Sequence, residues 1–229
     1  MQTKLGVAQN DEVNQRTETS DIPEMSEIDK AACEKIRQLQ DVTLHQAAID
    51  ISGRTETFRL QPGEHGGTNV FFNRNGSPYR YSLTDGMNGS MYLADSPLTA
   101  MKEVFQNKKS LKESDLAGYY MGTVVIEKDI KVVDVTALVR HSSLTLHEVT
   151  TANRRVTQFL AQKIHAAGFD GMAFLSNVTG ERCLVVWHHD PSGQGMATTL
   201  SQTCLTDFEI DGQEAADILV YQLGIPVDE

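Results

Sequence analysis

The spacing of apolar residues predicts a short strand that turns directly into a helix near the middle of the chain. Tyr92 and Leu93 favour a strand. Asp95 or Ser96 can cap the helix that follows, and Pro97 suits its first position. Glu103 lies off the apolar stripe of this helix, so taken alone it is expected to be a solvated surface residue. The residues predicted to form the stripe are Leu98, Met101, Val104 and Phe105.

Elsewhere the pattern predicts short strands mixed with helices. The predicted elements are a helix from Ser26, a second short helix within 41–51, a strand over 53–60, a β-hairpin formed by 123–126 and 130–135, a helix from Thr150 or Thr151 to Gly168, strands over 172–176 and 183–187, and a closing helix over 213–223. The first helix is predicted to turn one apolar face inward, which contains Ile28, Ala31, Ala32, Ile36 and Leu39. Because no regular series of β-α-β units joins the strands, the fold class is predicted to be α+β.

The sequence divides into three predicted parts. Residues 1–23 are polar and charged and are expected to form a disordered leader. Residues 24–52 are predicted to be a helical N-terminal extension, which either packs against the main domain or docks a partner. Residues 53–229 are predicted to be the main domain.

Amino-acid composition narrows the range of functions that the protein can have. The formal net charge of −11 argues against a nucleic-acid-binding protein, because phosphate contacts require clustered Lys and Arg. There is no apolar run of membrane-spanning length and no secretory signal, so a soluble, cytoplasmic chain without membrane contact is expected. The three cysteines (Cys33, Cys183 and Cys204) are widely spaced and lack metal-site spacing, which is typical of reduced thiols.

Polar side chains occur where several predicted strands end or loops begin. These positions are Arg59, Arg80 with Tyr81, Tyr92 with the nearby Glu103, and Ser176. Each is a weak signal alone, since an arginine can lie on the wet face of an edge strand and a serine can simply start a turn. His188 and His189 are adjacent on a predicted strand and point to opposite faces, so they are interpreted as a strand end and not as a metal site.

Taken together, these residues resemble the RES domain, a family named for an arginine, a glutamate and a serine. The similar segments are Phe58-Arg59-Leu60, Arg80-Tyr81, the run from Met91 to Val104, Phe174-Leu175-Ser176, and Cys183 to Trp187. The resemblance covers residues 57–189. Ser82 is a departure, because many members have Asn after the arginine–aromatic pair.

The resemblance implies a fold similar to the ADP-ribosyltransferase toxins and chemistry on NAD⁺ as the substrate. Members of the family act as toxins that a cognate antitoxin neutralises. Some related proteins are secreted effectors, for which an immunity protein takes the place of the antitoxin. The implied reaction is cleavage of the nicotinamide–ribose bond by hydrolysis or phosphorolysis. Transfer of ADP-ribose to a protein is the alternative, and a non-catalytic binding module is the third interpretation.

The residue types suit this chemistry. Glu103 is expected to accept hydrogen bonds from the ribose and to stabilise an oxocarbenium-like centre. Arg80 or Arg59 is expected to bind the pyrophosphate bidentately. The aromatic faces of Tyr81 and Tyr92 are expected to stack on nicotinamide or adenine. The hydroxyl of Ser176 is expected to bind the ribose or the carboxamide. No metal is expected, because nicotinamide is already a good leaving group.

Overall fold

A computed structural model describes residues 25–75 and 79–228 of the chain. In chain order the elements are α1 (Glu27–Arg37), α2 (Asp41–Gln46), β1 (Ala48–Ile51), β2 (Glu56–Pro62), a 3₁₀ turn (His65–Gly67), β3 (Gly89–Ala94), α3 (Pro97–Phe105), β4 (Leu111–Lys112), α4 (Glu113–Leu116), β5 (Tyr119–Ile126), β6 (Ile130–Asp134), α5 (Val135–His141), α6 (Leu146–Thr150), α7 (Arg154–Ala166), β7 (Gly171–Leu175), β8 (Arg182–His188), β9 (Ala197–Cys204), a 3₁₀ turn (Leu205–Asp207), β10 (Glu209–Ile210), β11 (Gln213–Glu214), α8 (Ala215–Asp217), a π-helical turn (Ile218–Gln222) and β12 (Val227–Asp228). The predicted mixed α+β class is confirmed.

Eight strands form one mixed sheet that is almost divided in two. The strand order is β1-β6-β7-β8-β3-β2-β5-β9. Between β3 and β2 the ladder consists of a single pair, Phe58 with Ala94, whereas β2 and β5 pair over seven residues. Further along the same edge of β3, Ser90 pairs with Asn73 of the loop after β2. The sheet therefore has a five-stranded half and a three-stranded half that meet along an open seam.

Three apolar clusters cover the sheet. The first packs α1, α2, α5, α6 and α7 on the five-stranded half, and the second packs α3, α4 and the C-terminal turns beside β2 and β5. Phe174 of β7 contacts both clusters. The third cluster lies on the opposite face and includes Val70 and Phe72 from the loop after β2. That loop consequently belongs to the core, which fixes its path across the seam.

The N-terminal segment is built into the same sheet and core. Ser26 caps α1 by accepting a hydrogen bond from the Asp29 amide at 3.1 Å. Helix α1 contacts α7, and β1 pairs antiparallel with β6 at the edge of the sheet. Of the two roles considered for this segment, packing against the main domain is therefore seen directly. The predicted leader, residues 1–23, lies outside the described residues.

Five expectations need correction. In α1, Ile28 and Ala31 were predicted to face inward and are exposed. Strands β5 and β6 do form, but they lie in opposite halves of the sheet, so the predicted hairpin is wrong: β5 pairs with β2 and β9, and β6 pairs with β1 and β7. The second predicted helix ends at Gln46 and continues as β1. The closing helix is a short α-helix followed by a π-helical turn. In α3, Val104 is exposed, and Thr99 and Ala100 are buried in its place.

None of the helices within residues 25–75 and 79–228 combines the length and the apolar character needed to cross a membrane.

Two isoleucines of α1 test whether this helix is part of the core. Ile36 is fully buried, and Ile28 is 66 % exposed. Ile36→Ala is expected to lower the free energy of unfolding by about 2–5 kcal/mol, because it leaves a cavity among packed side chains. Ile28→Ala should change it by less than about 0.5 kcal/mol. Urea unfolding measures both values, and an equally small effect of the two substitutions would show that α1 is a dispensable appendage.

Candidate active site

Helix α3 begins where β3 leaves the seam. The Ser96 hydroxyl accepts a hydrogen bond from the Thr99 amide at 3.1 Å, and Pro97 occupies the first turn. Thr99 and Glu103 are four residues apart, so they lie on the same face of the helix. Because Thr99 is held in the core, the direction of Glu103 is fixed by a rigid element and not by a loop.

The turn over residues 176–181 packs against this face of α3. Thr99 donates a hydrogen bond to the Glu181 carboxylate at 2.5 Å and lies 3.0 Å from the Thr179 hydroxyl. The Ser96 hydroxyl also donates to Glu181. The turn is therefore attached to the start of the helix that carries Glu103.

Ser176 builds this turn from within. Its side chain is buried, and its hydroxyl oxygen accepts hydrogen bonds from the amides of Val178 and Thr179, each at 3.2 Å. Its carbonyl accepts from the Gly180 amide at 2.9 Å, and Gly180 adopts a φ of +76° that favours glycine. The structure thus gives Ser176 a local structural role. The contact with a ribose or a carboxamide stays a prediction.

Arg80 lies beside the same turn. With the Asn177 amide oriented by its hydrogen-bond partners, the Asn177 side-chain oxygen accepts from Nη2 of Arg80 at 3.0 Å and from Nη1 at 3.1 Å. The Nε atom of Arg80 is buried and has no hydrogen-bond partner among the described residues. The guanidinium is therefore held on one side and keeps an unused donor.

Tyr81 belongs to the core. Its side chain is 0 % exposed, its hydroxyl donates to the Val149 carbonyl at 2.8 Å, and its ring lies 5.1 Å from that of Phe174. Burial raises the pKa of this phenol to about 12. A backbone φ of +60° directs the side chain inward, where its carbonyl also accepts from Trp187 Nε1. The stacking role predicted for Tyr81 is contradicted, because its ring offers no face to a ligand.

Tyr92 is held by two oxygens, and a neighbouring tyrosine provides the open aromatic face. The Tyr92 hydroxyl donates to the Arg80 carbonyl and lies 2.8 Å from the Ser82 hydroxyl. Burial raises the pKa of Tyr92. The ring of Tyr79 lies 5.8 Å from the ring of Tyr92 and is 51 % exposed. Tyr79 is thus a candidate that sequence reasoning missed, although its place next to Arg80 was a signal. The departure at Ser82 puts a hydroxyl where it can bind Tyr92.

Arg59 lies in an interior strand, and its side chain is half-buried. Its Nη1 donates to the carbonyl oxygens of Asn69 at 2.9 Å and Phe71 at 3.2 Å. Burial lowers the pKa of the guanidinium to about 10, and nearby Tyr79 partly opposes the shift, so Arg59 remains a cation at neutral pH. Within residues 25–75 and 79–228, no carboxylate forms a salt bridge with it. Arg59 is therefore a half-buried cation to which the described part of the chain supplies no counter-ion.

Glu103 is a half-buried carboxylate without a cationic partner among the described residues. Gln106 donates to its Oε2 atom at 3.2 Å. Glu103 lies near the Cys183 thiol of β8, whose pKa is raised to about 12 by burial first and by Glu103, Asp95 and Glu181 in addition. Glu103 lies outside the buried core, but it is half-buried on the same face of α3 as Thr99 and is not the solvated surface residue expected from the spacing alone. Its surroundings combine a cysteine, other carboxylates and the end of the seam.

Contacts connect most of the predicted residues into one region. Arg59 lies within electrostatic range of Tyr79, Tyr79 packs on Tyr92, and Tyr92 binds the backbone of Arg80. From there Arg80 reaches Asn177, next to Ser176, in the turn that is attached to α3. By strand alternation, Arg59 points to the face of β2 opposite Phe58 and Leu60, which pack with α3. Arg59 and the helix that carries Glu103 therefore lie on opposite faces of β2.

Among residues 25–75 and 79–228, no group of three or more His, Cys, Asp or Glu side chains is arranged to hold a metal ion. His188 and His189 were interpreted from the sequence as the end of a strand, and β8 ends at His188.

A comparison with known protein families identifies the family to which the chain belongs. The sequence model of the RES domain matches residues 57–208, which is more than half of the protein. The chain belongs to the RES domain family. The match begins where the predicted resemblance begins and extends beyond residue 189 through β9, which sequence reasoning had left out.

The fold of this RES-domain protein is shared with a solved structure. The chain is similar to one from the crystal structure of the M. tuberculosis MbcT-MbcA toxin-antitoxin complex, with a TM-score of 0.55 and 17 % sequence identity. The similarity covers 76 % of this chain and 91 % of that chain. At this identity the likeness establishes the fold. No curated protein matches the chain in sequence.

The Thr99 hydroxyl gives a test of the attachment between the turn and α3. Hydrogen bonds from Ser96 and Thr99 lower the pKa of Glu181 below its ordinary value of 4.5. A carboxylate with a lowered pKa in the folded state stabilises the fold above its unfolded pKa, and this contribution is lost as the pH falls through the folded pKa. When the pH is lowered from about 7 to about 3, the free energy of unfolding should therefore fall less in Thr99→Val than in the wild type.

Thr99→Ser is the control, because it keeps the hydroxyl. At neutral pH, Thr99→Val is expected to cost about 1 kcal/mol through the lost hydrogen bonds. Urea unfolding at both pH values measures these quantities. An acid dependence that is the same in the valine variant and the wild type would refute the attachment.

Proposed function

We propose that this RES-domain protein is the toxin of a toxin–antitoxin pair and that it consumes NAD⁺ by cleaving the nicotinamide–ribose bond. Family membership and the fold shared with a toxin–antitoxin structure support the general class. The observation that carries the proposal is Arg59, a half-buried cation for which the described residues supply no carboxylate.

A half-buried cation that has no carboxylate partner among the described residues favours an anionic ligand. Two carbonyl oxygens occupy only Nη1 of Arg59, so the other donors of its planar guanidinium are available to phosphate oxygens. A dinucleotide supplies two linked phosphates near a sugar, and Arg80 provides a second guanidinium in the same region. We assign the pyrophosphate of NAD⁺ to Arg59, with Arg80 as the supporting cation.

The carboxylate of Glu103 is assigned to the ribose that carries nicotinamide. In the reaction the C1′–N bond breaks and its electron pair leaves with nicotinamide, which leaves positive charge on the ribose. Glu103 accepts hydrogen bonds from the ribose hydroxyls and stabilises that charge, and no cation among the described residues competes for it. Water or inorganic phosphate then forms the new bond to C1′, and the proton of the nucleophile passes to solvent.

The tyrosine side chains of the site suit stacking on a flat ring of the ligand. Tyr79 replaces Tyr81 as the exposed partner of Tyr92, so this tyrosine pair is assigned to nicotinamide or adenine stacking. The hydroxyl of Ser176 is already an acceptor for two amides, which leaves its hydrogen to donate to the ligand.

The proposed toxin acts on cytosolic NAD⁺, and its partner is a neutralising antitoxin. With a net charge of −11, the chain favours a partner that presents basic side chains at the interface.

Substitution of Glu103 tests the reaction. Purified wild-type protein should release nicotinamide from NAD⁺, and Glu103→Gln should reduce the rate by about 100-fold or more, because the amide cannot offset positive charge in the transition state. Glu127→Gln is the matched control, since this exposed glutamate lies in the turn after β5. Chromatography of nicotinamide and ADP-ribose measures the reaction.

Two outcomes separate the candidate reactions. Release of free ADP-ribose or its phosphorylated form without any protein acceptor supports consumption of NAD⁺. A requirement for an acceptor, with an ADP-ribose mass added to it, would replace the proposal by mono-ADP-ribosyl transfer. Full activity of Glu103→Gln would contradict both.

A further inference from the structure

Three residues lie side by side across the three-stranded half of the sheet, and the middle one has no side chain. Arg59 of β2 is in register with Gly122 of β5, and Gly122 is in register with Gln202 of β9. Side chains in register point to the same face of a sheet. Gly122 therefore leaves a gap between Arg59 and Gln202.

The side chain of Asn69 fills this gap. Asn69 is 0 % exposed, and a Cβ atom at position 122 would lie 2.1 Å from its Cγ atom. Such a distance is far inside van der Waals contact, so only glycine at 122 admits the asparagine. A polar side chain placed this deep requires partners for all its groups.

Asn69 finds those partners on all three strands. Its Nδ2 donates to the carbonyl oxygens of Arg59 at 3.1 Å and Tyr120 at 3.3 Å, and its Oδ1 accepts from Gln202 Nε2 at 2.7 Å. Its backbone amide donates to the Thr199 hydroxyl at 2.8 Å. Both ends of the side chain and the main chain are thus fixed to the sheet.

This arrangement determines where the Arg59 guanidinium lies. The Asn69 carbonyl accepts from Nη1 of Arg59 at 2.9 Å, so the residue bonded to the Arg59 backbone also holds its charged end. The preceding residue is fixed as well, because Gln61 Nε2 donates to the Thr68 carbonyl at 2.7 Å. The second acceptor, the Phe71 carbonyl, follows two residues later on the same loop.

We propose that Asn69, seated over Gly122 and fixed by Thr199 and Gln202 of β9, is the positioning residue that aims Arg59 at the phosphate groups of the ligand. The inference rests on the proposed function of Arg59. It assigns the support of Arg59 to β9, a strand at the edge of the sheet. Disturbing the support should weaken binding of the phosphates and leave the chemistry at the ribose unchanged.

The kinetic signature distinguishes positioning from folding. Loss of positioning should raise the KM for NAD⁺ and leave kcat nearly unchanged, because the interaction is made in the bound substrate and in the transition state alike. A merely structural role would lower the folded fraction, which reduces the apparent kcat and leaves KM unchanged.

Thr199 offers a matched pair of variants on a half-buried position. Thr199→Val removes the acceptor for the Asn69 amide with little change of shape, and Thr199→Ser keeps it. Thr199→Val should raise the KM for NAD⁺ about three- to tenfold with kcat within about twofold, and Thr199→Ser should match the wild type. Asn69→Ala should raise KM further. Calorimetric titration with inorganic pyrophosphate should show the same order of affinities without any turnover.

The outcomes distinguish a failure of the positioning role from a failure of the proposed function. If the wild type cleaves NAD⁺ and both Thr199 variants keep its KM and its pyrophosphate affinity, the positioning role is wrong and the proposed function stands. If Asn69→Ala does not fold, the Thr199 pair decides. If the wild type neither cleaves NAD⁺ nor binds pyrophosphate, the proposed function fails, and the assignment of Asn69 fails with it.

Discussion

A half-buried guanidinium, for which the described residues supply no counter-ion, is the constraint on which the site depends. Desolvating a cation is costly unless hydrogen bonds or an opposite charge compensate for it. In Arg59 two backbone carbonyls provide part of that compensation. Both belong to the loop that follows β2, so the position of this loop decides whether the cation is tolerated and what it can bind.

The loop after β2 holds its position by crossing the open seam of the sheet. On one side Asn69 is fixed to the three-stranded half through Thr199. On the other side Asn73 pairs with Ser90 of β3, and the Phe72 amide donates to the Pro191 carbonyl. The seam exists because β2 and β3 share one residue pair, and the loop keeps the two halves in a fixed relation. Glu103 is mounted separately, on α3 and the turn that packs against it.

Local signals in the sequence predicted much of this architecture. Ser96 and Pro97 define the start of α3, and the stripe correctly left Glu103 outside the core. Val104 was misplaced because the three-residue spacing does not show that Thr99 and Ala100 face the sheet. The family segments around Arg59, Arg80 and Glu103 were found because each is a contiguous run.

Features that depend on long-range pairing could not be predicted. The segments that became β5 and β6 are separated by a short turn, which favours a hairpin, yet their partners come from distant parts of the chain. Tyr81 was assigned to a ligand because Arg80-Tyr81 resembles the arginine–aromatic pair of the family and its ring is flat. Only its burial in the folded structure reveals that the ring turns inward. Asn69 and Gly122 carry no motif, and their fit becomes visible only when β2, β5 and β9 are aligned.

The central claim is that Arg59 is the anchor for a pyrophosphate. Calorimetry of the Glu103→Gln variant, with NAD⁺ and with nicotinamide riboside, tests it most directly, because the second ligand lacks the phosphates. The account predicts that NAD⁺ binds at least about tenfold more tightly and that adding Arg59→Gln removes this advantage. Equal affinity for the two ligands, or an advantage that survives without Arg59, would contradict the account.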